Sequence, residues 1–156
     1  TPELRDGTHA VCGCVATAMS QVMRYHRYPT QPAKIVTRAC FVEPRYEVNP
    51  ETFISEFVGE TNLTTSGEAF LWDQMPLRPK NEGANDAQCA AIGRLTSDAG
   101  ISVYMGYDTL QNGGSGAFMF NTVAAFKEVF RYGNAAIFSA SATQDSMLLE
   151  RTARPW

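Results

Sequence analysis

Residues 13–29, GCVATAMSQVMRYHRYP, leave this chain little choice of local structure. Val15, Ala18, Met19, Val22, Met23 and His26 recur at helical spacing, which predicts one amphipathic helix over Cys14–His26. Gly13 breaks the chain before it. Tyr28-Pro29 stops it, because a residue preceding proline avoids helical angles. Arg24 and Arg27 suit the negative pole of the helix dipole. A cysteine therefore stands where an irregular lead-in becomes a helix. A thiol there faces free backbone N–H groups and the positive end of the dipole, and both favour the thiolate, the reactive form. Gly13 lets a substrate backbone come close, and the small residues Ala16, Thr17 and Ala18 let the helix pack tightly beneath. A nucleophile would use this geometry. A buried structural cysteine is the plainer alternative, and position alone does not decide between them.

The four cysteines, Cys12, Cys14, Cys40 and Cys89, lack the spacing of a small disulfide scaffold, and a 156-residue chain does not need staples. Cys12 and Cys14 are too close to bridge each other comfortably. Zinc at His9, Cys12 and Cys14 is a second possibility, against which the one-residue gap and the lack of a second cysteine pair both speak. Hydrophobic residues make up 44% of the chain, enough for a core. A net charge of -3 without a basic stripe argues against nucleic acid, and no apolar run is long enough to cross a bilayer. The chain opens on Thr1 without a signal peptide, so a processed or incomplete chain is one reading.

Further along, short strands are expected around Lys34–Arg38 and Cys40–Val42, and a short helix from Asn49-Pro50-Glu51 burying Phe53, Ile54, Phe57 and Val58. Residues 59–67 read as a polar loop. A helix is predicted over Asn85–Ala99 with Cys89, Ile92, Leu95 and Ala99 inward and Gly100 closing it. A strand is predicted over Ile101–Met105, and a helix over Phe118–Tyr132 ended by Gly133. Ala135–Ser139 suggests a strand and Ser141–Arg151 a turn and helix start. Between these lies QNGGSG, residues 111–116. It reads as a plain turn or as a backbone cradle, without the Lys and Ser/Thr of a phosphate loop.

Taken together, residues 13–18 and 25–29 closely resemble the nucleophile helix of the streptopain family, bacterial cysteine peptidases of the papain-like superfamily. Similar family segments come in order: WDQMP at 72–76, GISVYMGY at 100–107, a glycine- and serine-bearing loop at 112–116, and a helix ending Phe130-Arg131-Tyr132. The resemblance implies an α+β papain-like fold, here mainly its helical lobe. It implies Cys14 as nucleophile, Cys12 as structural, and Gly114 and Ser115 at the substrate cleft. It implies protein or peptide substrates, no cofactor, an extracellular or cell-surface setting, and a pro-segment. Trp72 and Tyr107 are expected to fill core.

The base is harder to find. His26 lies on the same helix as Cys14, ~18 Å away at 1.5 Å per residue. His9, in the lead-in, could approach the thiol, but a papain-like plan brings its histidine from a second lobe. The family carries that histidine in a downstream Gly-His segment, which nothing here matches, and an oxyanion-stabilising Gln upstream of the nucleophile, where residues 1–13 hold no Gln. The expectation is a partial peptidase domain over 1–156, inactive as an isolated chain and exposing an apolar face. A degenerate, non-catalytic binding domain is the alternative.

Overall fold

A computed structural model describes residues 1–136. The strand expected over Ala135–Ser139 and the helix start expected from Ser141 fall almost wholly outside them. Helix α1 runs Cys14–His26, at the bounds its flanking breakers set. After it comes an antiparallel hairpin, β1 (Thr37–Val48) and β2 (Ser55–Thr64). A 3-10 turn at Trp72–Gln74 and the one-turn α2 (Pro79–Glu82) lead to α3 (Asp86–Ser102). Strand β3 (Gly106–Tyr107) pairs parallel with β1, giving sheet order β2-β1-β3. The short helix α4 (Asn121–Ala124) continues into a π-turn at Ala125–Val129.

The core lies between α1 and α3, on one side, and β1, β3 and the π-turn on the other. Ala16, Met19 and Met23 of α1 meet Leu95 and Ala99 of α3, with Met75, Val103, Met105, Tyr107, Val129 and Phe130 closing round them. The face of α1 is turned relative to the sequence reading. Val15, Ala16, Met19, Ser20 and Met23 are buried, whereas Ala18, Val22 and His26 are exposed. Small residues at 16 and 20 let α3 come close, and Val22 and His26 are left to edge a groove with Phe126 and Tyr132. Straps between distant segments hold the end of α1. Tyr28 Oη donates to the Arg131 carbonyl at 2.7 Å, Tyr132 Oη to the Tyr28 carbonyl at 3.3 Å, and Trp72 Nε1 to the Pro29 carbonyl at 3.1 Å.

Three expectations are corrected. The helix start at Asn49 forms only one turn. Asn49 Oδ1 accepts from the Glu51 and Thr52 N–H groups, as a cap does, but Phe53 takes φ 56° and the Asn49 N–H closes onto the Ile54 carbonyl. The cap signal makes the hairpin turn, and residues 55–64, expected to be helix end and loop, become β2. Phe53, Ile54 and Phe57 consequently stand exposed rather than buried. The strand expected at Ile101–Met105 is instead the last turn of α3 and its exit, because Gly100 does not end the helix; Val103 does. Finally, the helix expected over Phe118–Tyr132 is confined to Asn121–Ala124 and the π-turn, with Phe118 and Phe120 exposed ahead of it and stacked at 5.3 Å, and Cys89, expected inward, lies on the open side of α3. The π-turn shifts the register of α4, so Ala125, Val129 and Phe130 take the inward places.

Candidate active site

Cys14 is the first residue of α1 and its side chain is exposed. The helix carries no side-chain N-cap and no acidic residue in its first turn. Among the described residues its leading N–H groups have no hydrogen-bond partner, and they lie at the helix end that carries the thiol. By contrast, α3 opens with a full capping box, in which Asn85 and Gln88 satisfy each other's backbone N–H groups at 3.0 Å.

Gly13 turns the chain into α1 with φ 71°. A Cβ there would lie 2.7 Å from the Ser115 carbonyl oxygen and 2.8 Å from Met105 Sδ. Glycine is thus required twice over, for the left-handed angle and for the close approach. The same contact shows that the glycine-rich loop lies directly beside the residue preceding Cys14. Gly13 and Ser115, far apart in sequence, meet there.

The loop is pinned at both ends. Gly106 and Gly116 exchange N–H···O bonds of 2.9 Å, and the Gly114 N–H donates to the Thr109 carbonyl at 2.8 Å. Ser115 Oγ accepts the Asp108 N–H at 3.0 Å and donates to the Asp108 carbonyl at 3.3 Å. Asp108 Oδ1 in turn accepts from the Thr109 N–H and Asn112 Nδ2. The Val11 N–H donates to the Asp108 carbonyl at 3.3 Å, tying the lead-in to the loop. Among the described residues, no hydrogen bond engages the Ser115 N–H or the Gly114 carbonyl. Both sit on the half-buried loop with φ 79° at Gly114. The two groups end one trans peptide plane and point opposite ways, so the held loop offers a single backbone hydrogen bond toward an extended peptide. The Ser115 hydroxyl itself is occupied in holding the loop.

The other sequence candidates are dispersed. His9 Nδ1 lies 3.2 Å from the Thr1 carbonyl, and His26 packs edge-on against Tyr25 at the far end of α1. Neither hydrogen-bonds Cys14. His9, Cys12 and Cys14 do not gather as metal ligands, and among the described residues no other three His, Cys, Asp or Glu do. Cys12 is half-buried with Sγ 3.2 Å from Thr17 Oγ1. Cys40 is fully buried, and loss of solvent pushes its thiol up to about 11. Tyr107 is buried and Trp72 half-buried, as core residues. Sequence reasoning missed Thr17 and Asp108. A Thr four residues after a turn glycine, able to bond back to that glycine's carbonyl, was the available signal for the first.

The profile of the Peptidase C10 family matches residues 1–154. Streptopain of Streptococcus pyogenes is 32% identical over 127 residues, 81% of this chain and 29% of that protein. The thiol protease/hemagglutinin PrtT of Porphyromonas gingivalis is 29% identical over 131 residues, 84% of this chain and 13% of that protein. Among solved structures, active wild-type interpain A cysteine protease of Prevotella intermedia superposes with a TM-score of 0.63 at 24% identity, covering 83% of this chain and 47% of that one. A prointerpain A fragment of the same organism gives a TM-score of 0.60. The chain therefore spans less than a third of the length of the curated relatives it matches.

Proposed function

The chain belongs to the peptidase C10 family, and from that membership we propose that it forms the nucleophile-bearing lobe of a cysteine endopeptidase with Cys14 as its nucleophile. The observation that carries this reading is the placement of Cys14: exposed, on the uncapped N-terminus of α1, next to the glycine-rich loop. Cys14 Sγ attacks the scissile carbonyl, and the acyl group moves to sulfur as the amine leaves. The free N–H groups at the start of α1 face the oxygen on which charge develops. The free backbone at the Gly114–Ser115 peptide offers one hydrogen bond to the backbone of an extended protein or peptide substrate. The proton that must leave the thiol and reach the amine needs a histidine within hydrogen-bond reach. Neither described histidine supplies it, so the base belongs to a part of the protein outside this lobe. A pro-form, as named for one of the matched structures, is carried over as part of the same proposal.

The test pairs two measurements on this chain. Iodoacetamide at neutral pH is expected to label Cys14 faster than Cys89, which is exposed on α3 and serves as an internal reference thiol. A peptide substrate is expected to remain uncleaved. Labelling of Cys14 no faster than Cys89 would favour the non-catalytic binding domain. Turnover at peptidase rates that disappears in Cys14→Ala would overturn the division of the site between lobes.

A further inference from the structure

Thr17 stands one turn into α1, and its hydroxyl reaches back to the junction ahead of the helix. Thr17 Oγ1 donates to the Gly13 carbonyl at 2.8 Å, and the Thr17 N–H donates to the same oxygen at 3.2 Å. A hydroxyl has one proton, and here the carbonyl takes it. The contact of 3.2 Å between Cys12 Sγ and Thr17 Oγ1 therefore runs the other way, with the thiol as donor. Cys12 S–H, Thr17 O–H and the Gly13 carbonyl form one directed chain across the turn. The carbonyl at its end belongs to the peptide plane that also carries the Cys14 N–H.

We infer that Thr17 is a positioning residue for Cys14: the relay from Cys12 through Thr17 to the Gly13 carbonyl locks the Gly13–Cys14 peptide plane and so aims the thiol and its N–H. The inference rests on Cys14 being the nucleophile. Three features favour this role over simple support of the helix. Thr96 makes the same back-bond to Ile92 within α3, but the carbonyl that Thr17 holds is the one directly ahead of Cys14, and the leading N–H groups stay free. Gly13 needs such a clamp because glycine is the residue whose backbone wanders most. The Met105 thioether and Ser115 carbonyl pack against the Gly13 α-carbon, and the Thr17 hydroxyl adds a hydrogen bond at its carbonyl.

The experiment measures the second-order rate of iodoacetamide labelling at Cys14, with Cys89 as the internal reference, at a temperature where each variant is folded by circular dichroism. Thr17→Val keeps shape and branching but removes the hydroxyl. It is expected to slow Cys14 about tenfold, the factor matching one ordinary hydrogen bond, and to leave Cys89 unchanged. Thr17→Ser restores the hydroxyl and is expected to restore the rate, which a loss of methyl packing would not allow. Cys12→Ala removes only the weak S–H donor and is expected to slow Cys14 roughly twofold. This variant keeps the test decisive if Thr17→Val does not fold. Wild-type rates in both hydroxyl-relay variants, or a Thr17→Ser rate as low as that of Thr17→Val, would overturn the inference. Wild-type Cys14 no faster than Cys89 would instead sink the nucleophile reading on which it rests.

Discussion

At Gly13 a backbone angle and a packing contact make the same demand, so the smallest substitution there is informative. Gly13→Ala forces a side chain into φ 71° and places its Cβ 2.7 Å from the Ser115 carbonyl. Crowding of this kind costs about 1–3 kcal/mol, and here it can be relieved only by moving the loop or the start of α1. The expected outcome is a lower urea midpoint together with slower labelling of Cys14. A drop in stability with unchanged labelling would show that the loop moved and the thiol did not. Cys40 offers the opposite behaviour. Its thiol is held protonated by burial up to about 11, against an ordinary value of 9.0. The folded protein keeps that proton where the unfolded chain loses it. The stability it contributes is full below pH 9 and is lost as pH rises toward 11. Cys40→Ala should therefore flatten the fall in stability over that window, measured by urea titration at several pH values. Native labelling should spare Cys40 until the protein is denatured.

Among the elements, the two long helices are built on different principles. α3 is finished at its N-terminus by the Asn85–Gln88 box, and Asn85→Ala should cost ~1 kcal/mol, seen in thermal melts and as faster amide exchange in the first turn of α3. α1 has no such closure, and its bounds are nevertheless the most legible in the chain. Gly13 and Tyr28-Pro29 are backbone signals that tertiary packing does not override. Its buried face is less legible, because Ala16 and Ser20 look neutral in a sequence and become important only where another helix approaches. The hairpin escapes a sequence reading for a related reason. Asn49-Pro50 supplies a genuine cap, but a cap specifies one turn, and the conformation of residues 55–64 depends on the partner strand. β2 presents Phe57 and Glu56 outward alike, so no alternation marks it. Of the candidate site, Cys14 is singled out by its place on the helix only together with the family resemblance, and the loop can be identified by its glycines. The contact between Gly13 and Ser115 spans most of the fold and cannot be read from either segment. Thr17 looks, in the sequence, like one small residue among several.

At the scale of the whole molecule, one buried carboxylate sets a pH response. Asp98 of α3 accepts from the Ser66 N–H at 2.8 Å and from Ser66 Oγ at 2.7 Å, joining α3 to the segment after β2. Loss of solvent outweighs these bonds and raises its carboxyl above the ordinary 3.8. The folded state then binds a proton that the unfolded chain has released. This contribution is complete below the ordinary carboxylate value and is lost as pH climbs through the raised one. Relative to Asp98→Asn, the protein should lose stability as pH rises from about 4 toward neutrality, and a difference in melting temperature that does not vary with pH would contradict this. The straps from Tyr28 to Arg131 and Tyr132 act on a different axis, that of time. Tyr28 and Tyr132 are 104 residues apart, and at ~5–20 residues per second the ribosome needs on the order of 5–20 s to supply the second after the first. Of the segments these straps join, α1 is made first and is fastened at its end only once Tyr132 has been added. During that interval the end of α1 lacks both of these bonds, so its final anchoring waits for the segment that carries Arg131 and Tyr132.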